Sequence, residues 1–287
     1  MAAKINPANM PGVVAVICTK DFSVKYAASD VFANAIANAD KLFAEAHPAG
    51  FTAADVCYHT DSLDELALIN YTSCTTSSPK GVMLTYRALS SNVTFGVEHI
   101  PTGPEDNVVS MLPLAHMFGM AFEFLYQVAG GTHIFFLTKL SPSILLKALH
   151  DCQPYLMLTV PLMIEKIYKS KLQPVVSKPI VKFLWNIPGI GTLIKRKVRN
   201  GLMEAFGGKL QCLIIGGAAL NSEVEKCLMD VHFPFLVGYG MTEAAPLIGY
   251  VPWNEFAAHS CGRIVDRMEI RIDSEDQQNV VGEIQVK

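Results

Sequence analysis

The sequence predicts an α/β protein in which parallel sheets are flanked by helices, with a β module starting near residue 251. Three observations carry this. Between residues 108 and 238, short apolar runs alternate with helical patterns, the rhythm of a parallel sheet covered on both faces. Glycine-rich turns follow two of these runs, at Gly216-Gly217 and at Gly238-Tyr239-Gly240. After Trp253 the helical patterns stop, and two short apolar runs, 268–272 and 283–286, flank a polar turn.

Taken in order, residues 13–18 are a first apolar run and read as a buried strand. From Ser29 the spacing of Val31, Ile36, Leu42 and Phe43 is helical until Pro48 and Gly50 end it. Residues 66–71 read as a second buried strand, running into a Ser/Thr cluster from Thr72 to Ser78. A helix is expected over 84–95, a strand over 108–114, and a helix over 118–129 that Gly130-Gly131 stops. Residues 132–138 form a strand, and 141–152 a helix capped by Ser141. Residues 155–160 form a strand, after which Pro161 opens a helix at its first position, where no N–H is needed. A strand over 210–215 precedes Gly216-Gly217, Asn221 caps a helix to about Asp230, and 233–237 is a strand. No internal repeat is seen.

Composition narrows the function classes. Of the 287 residues 51% are hydrophobic and 17% charged, against about 25% charged in an ordinary soluble domain. That excludes a disordered chain. A net charge of −3 excludes a whole-chain polyanion binder, so no nucleic-acid partner is expected. The longest uncharged runs, 108–122 and 124–138, are split by Glu123. Each is shorter than the roughly 20 residues of a spanning helix. The N-terminal residues lack the apolar core of a signal peptide. Seven scattered cysteines without a C-x-x-C pair suggest neither a disulfide framework nor a zinc site, and suit a cytoplasmic setting.

Ligands of parallel sheets bind beyond the carboxyl ends of the strands, which directs attention to three turns. The first, Thr72 to Gly81, joins several hydroxyls to Lys80 and can hold phosphate oxygens. It lacks Walker A spacing. The second is Gly216 to Leu220. In the third, Tyr239 between two glycines can show its ring to a purine, and Thr242 and Glu243 offer a hydroxyl and a carboxylate. Taken singly, the first reads more readily as an exposed polar loop, and the third equally as a tight turn with a capping glutamate.

In this order, Tyr71 to Gly81, Leu112-Pro113-Leu114-Ala115-His116, Gly216-Gly217-Ala218-Ala219-Leu220 and Gly238 to Glu243 resemble the AMP-forming adenylating superfamily. That superfamily holds acyl-CoA synthetases, luciferases and peptide-synthetase adenylation domains. Lys80 to Leu84, Ala115 to Gly119 and Val160 to Tyr168 most resemble the bacterial long-chain fatty-acid–CoA ligases. The resemblance implies an incomplete N-terminal adenylating domain. Residues 1–103 would be part of a first α/β subdomain with the phosphate loop 71–81, 104–250 a second, and 251–287 the start of a small β-barrel. The C-terminal domain with its lysine would be absent.

The resemblance also implies a reaction. ATP and Mg²⁺ activate a long-chain fatty acid as acyl-adenylate, and coenzyme A then displaces AMP. Thr72, Ser73, Thr75, Thr76 and Lys80 would hold the β- and γ-phosphates. Gly216, Gly217 and Ala218 would line the adenine pocket, and Tyr239 and its neighbour Gly240 would lie against the base. Thr242 would contact the α-phosphate and the acyl carboxylate, Glu243 would hold Mg²⁺, and His116 would sit at the mouth of the acyl site. Alternatives are a carrier-protein acceptor, or a non-catalytic binding protein.

Two departures favour that last alternative. The family's phosphate loop reads T-S-G-T-T-G-x-P-K-G, and Cys74 and Ser77 occupy its first two glycine positions. A left-handed conformation costs a non-glycine residue roughly 1–2 kcal/mol. The family's later Y-x-x-G-D segment is not present either. The chain alone is therefore expected not to turn over, and to self-associate through exposed apolar faces. Finally, nine lysines and arginines lie between Lys166 and Arg199, with no acid after Glu165 until Glu204 and with apolar residues and Trp185 interleaved. Residues 166–199 read either as a peripheral contact at the inner face of a membrane or as a solvated helical face.

Overall fold

The computed structural model describes residues 15–17, 24–27, 30, 34, 37–55, 62–72, 80–100, 102–137 and 141–287. The chain divides into two compact units, 1–61 and 62–287. In the smaller unit β1 (Ala15–Ile17) pairs antiparallel with β2 (Val24–Ala27). The second strand is not signalled by an apolar run, since Lys25 interrupts it. Helix α1 (Ala39–Ala46) lies within the span expected to be helical and ends at His47, just before Pro48.

The larger unit opens with an antiparallel hairpin, β3 (Leu66–Thr72) and β4 (Lys80–Thr85), in which Leu68 faces Leu84 and Thr72 faces Lys80. Two expectations change here. The first concerns β3, which is not buried on both faces: Leu66, Ile69 and Tyr71 are exposed, as is Met83 on β4. One face alone, with Leu68, Val82 and the fully buried Leu84, packs on the core. The second concerns the helix expected from Leu84. It begins at Tyr86 instead, because the Thr85 hydroxyl accepts the Ala88 N–H at 3.3 Å and closes off helix α2 (Tyr86–His99). Leu84 is spent on cross-strand pairing before that cap.

Then the alternation expected from the sequence follows. Strand β5 (Asn107–Ser110) leads to a π-helical turn, Gly119–Leu125, which continues as α3 (Tyr126–Gly130). Gly131, at φ +72°, ends it. Next come β6 (His133–Phe136), α4 (Pro142–Cys152), β7 (Leu156–Thr159) and α5 (Pro161–Ile167). Short helices α6 (Gln173–Val176) and α7 (Pro179–Trp185) precede the long α8 (Ile190–Ala205). Strand β8 (Cys212–Ile215), helix α9 (Ser222–Asp230) and strand β9 (Phe235–Val237) complete the series. The Ser141 and Asn221 caps form as expected, with Asn221 Oδ1 accepting from Glu223 N at 2.9 Å.

The five strands form one parallel sheet in the order β6-β5-β7-β8-β9. Successive side chains alternate between its faces. Val109, Met157, Leu213, Ile215 and Phe235 pack under α4, α5, α8 and α9. Val108, Leu156, Leu158, Ile214 and Leu236 pack under α2 and the 119–130 helix. Beyond β9 the chain makes a small antiparallel sheet of β10 (Tyr239–Gly240), β11 (Leu247–Tyr250) and β12 (Arg263–Ile264). A separate hairpin, β13 (Ile270–Asp273) with β14 (Glu283–Val286), forms the expected pair of C-terminal strands. Among the described residues no helix is long and apolar enough to cross a membrane.

One buried polar side chain ties these layers together. Asn92 of α2 donates to Ala244 O at 3.1 Å and accepts from Leu247 N at 2.9 Å, while it also donates to Ala88 O. It thereby fixes both ends of the turn between β10 and β11. Asn92→Ala leaves a buried N–H and a C=O without partners, at about 1–3 kcal/mol for each such group. Urea denaturation of that variant should show a loss in this range. A loss below about 0.5 kcal/mol, the size of an ordinary surface substitution, would contradict the clamp.

Candidate functional site

The carboxyl ends of β5, β8 and β9 open into one cleft of about 580 Å³, open solvent included. Each strand supplies a loop to it. From β5 comes the turn holding His116, from β8 Gly216 and Gly217, and from β9 the run Gly238 to Thr242. His116, Gly216, Gly217, Tyr239, Gly240 and Thr242, far apart in the chain, thus share one lining. The rest of the wall is largely apolar, with Phe118 and Phe122 on one side and Met241, Leu247 and Tyr250 on the other. A largely apolar cleft with few polar groups suits a planar ring or an alkyl chain.

The glycines have separate reasons. Gly217 has φ +85°, open to glycine at little cost. A Cβ on Gly216 would lie 3.1 Å from the Phe118 ring, so this glycine lets the aromatic wall close down on the end of β8. A Cβ on Gly240 would overlap the carbonyl oxygen of Pro246, because β10 bulges against β11 at that point. Tyr239, paired with Gly249 in that ladder, is held with its ring at the cleft and about one-third exposed.

The remaining expected residues lie around this cleft. Ala218 and Glu243 are exposed and do not line it. Glu243 sits in the single helical turn Thr242–Ala244 directly after the lining residue Thr242. Among the described residues no group of three or more His, Cys, Asp or Glu could hold a metal ion. A single carboxylate nonetheless suits Mg²⁺ whose other ligands are phosphate oxygens and water. Thr72 and Lys80 face each other at the end of the β3–β4 ladder and anchor the loop between them. Ser73, Cys74, Thr75, Thr76 and Ser77 lie outside the described residues. The hairpin is drawn to the cleft from two sides. Asn70 Nδ2 donates to Ala115 O at 3.0 Å, next to His116, and β4 lies against the turn 242–244.

Glu123 plays a part that sequence reading did not assign, although it was the one acid in an otherwise uncharged run. It is fully buried, and its Oε2 accepts from Ser110 Oγ at 3.0 Å, Met111 N at 3.0 Å and Leu112 N at 2.8 Å. It therefore grips the chain as β5 ends, four residues before His116. Among the described residues its Oε1 has no partner. Burial pushes the carboxyl up to about 7, while the three donated hydrogen bonds pull the other way. A carboxyl raised in the fold holds its proton more tightly folded than unfolded. The stability this gives is complete below its ordinary value of 4.5 and is lost as the pH rises through about 7. Denaturation midpoints of the wild-type protein should therefore fall from about pH 5 to about pH 8, and those of Glu123→Gln should not. Parallel curves for the two proteins would contradict this.

Known proteins resemble the chain in sequence and in fold. The sequence pattern of the AMP-binding enzyme family matches residues 11–287. Long-chain-fatty-acid–CoA ligase 4 of Saccharomyces cerevisiae is 32% identical over 206 residues, 66% of this chain and 29% of the ligase. The peroxisomal long chain acyl-CoA synthetase 6 of Arabidopsis thaliana is 30% identical over 247 residues, 78% of this chain and 35% of the synthetase. The chain thus spans about a third of the length of these relatives. Among solved structures, the Bacillus subtilis O-succinylbenzoate coenzyme A synthetase in complex with AMP aligns at a TM-score of 0.60. It is 21% identical, over 79% of this chain and 41% of that one. ATP-bound MatB of Rhodopseudomonas palustris aligns at 0.61 and 22% identity, over 79% of this chain and 40% of its own.

Proposed function

The chain belongs to the AMP-binding enzyme family, and from that premise we propose that it carries the adenylating site of a long-chain fatty-acid–CoA ligase. The activity is ATP-dependent formation of an acyl-adenylate, followed by thioester formation with coenzyme A. The observation that carries the reading is the cleft itself, which gathers His116, Gly216, Gly217, Tyr239, Gly240 and Thr242 at the carboxyl edge of a parallel sheet.

In this reading Tyr239 stacks on adenine, and Gly216, Gly217 and Ala218 bring bare backbone close to it. Thr242 donates its hydroxyl where α-phosphate and carboxylate meet, so it helps hold the two in line for attack. Lys80, Thr72 and the intervening Ser73, Thr75 and Thr76 contact the outer phosphates. Glu243 would hold Mg²⁺, whose charge offsets that of the phosphates. His116, exposed at the mouth, borders the route of the acyl chain. No side chain has to act as a covalent nucleophile, because the fatty-acid carboxylate is the attacking group.

A second reading has one observation in its favour. Cys74 and Ser77 stand where the family pattern has glycine, which suits a relative that binds acyl-adenylate-like ligands without making them.

The test is calorimetry of the purified chain with Mg-ATP and with a non-hydrolysable long-chain acyl-adenylate analogue. The analogue should bind, and Tyr239→Ala and Thr242→Ala should each weaken it at least tenfold, about 1.4 kcal/mol. Analogue binding without Mg-dependent ATP heat would favour the non-catalytic reading. Absence of analogue binding, or binding that both variants leave unchanged, would contradict the assignment of the cleft.

A further inference from the structure

We propose that the corner between α7 and α8 docks on an anionic membrane surface. The charge distribution is the first ground. Nine of the chain's 23 lysines and arginines lie between Glu165 and Glu204, and all 26 acids lie elsewhere. Among the described residues none of these nine makes an ion pair. Lys195 alone is engaged, 5.4 Å above the ring of Trp185. An ordinary solvated helical face mixes both signs of charge; this one does not.

The apolar side chains are the second ground. Ile180 and Phe183, one turn apart on α7, are 68% and 74% exposed, and Leu193, one turn after Ile190 on α8, is 68% exposed. Lys178, Lys182, Arg196 and Lys197 beside them are also exposed. Large apolar groups set among free cations fit a lipid interface, where the former enter beneath the headgroups and the latter meet their charges. A second copy of this chain fits poorly, since a two-fold contact would bring like charges together.

The corner is preorganised. Gly191 N donates to Ile187 O at 2.8 Å, and a Cβ on Gly191 would overlap the Trp185 carbonyl, so α8 starts hard against the end of α7. The structure also removes Trp185 from the candidate anchors. Its ring nitrogen donates to Asp230 Oδ2 at 3.3 Å, and it is partly buried. Phe183 takes the part that sequence reading gave to the tryptophan. This inference does not depend on the activity of the cleft.

Co-sedimentation of the whole 287-residue chain with vesicles tests it. Phosphatidylcholine vesicles containing about 30% phosphatidylserine should bind the chain, and pure phosphatidylcholine vesicles should bind it at least tenfold less. Lys178→Glu with Lys182→Glu, both exposed positions, should cut binding at least tenfold. Ile180→Ser with Phe183→Ser should do the same with an unchanged circular dichroism spectrum. Lack of binding, equal binding to neutral vesicles, or binding that both double variants retain would overturn the proposal. So would a dimer in buffer that the Ile180/Phe183 variant dissolves, because it would assign the ridge to a second copy.

Discussion

Strands β5, β7, β8 and β9 are buried on both faces, and this constraint organises the larger unit. A peptide group in such a sheet is already paired and has no access to a ligand. Only where the strands end can backbone N–H groups, glycine turns and polar side chains meet solvent. Three loops that line the cleft leave from that edge, at Met111, Gly216 and Gly238. The order β6-β5-β7-β8-β9 places β8 and β9 side by side, which is why two glycine turns over twenty residues apart meet in one wall.

The loops would be floppy if they were held only by their own chain. They are instead fastened by polar side chains from neighbouring layers, of which Asn92 and Glu123 are buried. Asn92 holds the turn after β10, Asn70 reaches the carbonyl beside His116, and Glu123 takes the two amides that follow β5. Each bond is worth about 0.5–1.5 kcal/mol net, but losing one partner costs more than making the bond gains. Such fastenings therefore fix position more than they add stability. They hold the lining still without filling the cleft, and leave it apolar with a few polar groups at its rim.

Much of the fold could be read in advance because its signals are strong. Continuous apolar runs such as Leu156–Thr159 suit strands buried on both faces, and Ser141, Pro161 and Asn221 mark helix starts by hydrogen-bond needs alone. Strand β4 was hidden for a physical reason. Leu84 leads straight into a helical pattern, and only its ladder partner Leu68 assigns it to a strand. The motif residues of the cleft were visible as glycine and hydroxyl turns. Asn92 and Glu123 were not assigned, because a polar residue's place in the sequence does not say which distant amide it will meet.

The central claim is that a nucleotide base occupies the cleft beside Tyr239. Photolabelling with 8-azido-ATP, followed by peptide mapping, tests it most directly. The account predicts adducts within residues 216–218 and 238–244 that a long-chain acyl-adenylate analogue suppresses. Adducts confined to residues 1–61 or 142–205, or labelling that the analogue leaves unchanged, would contradict it.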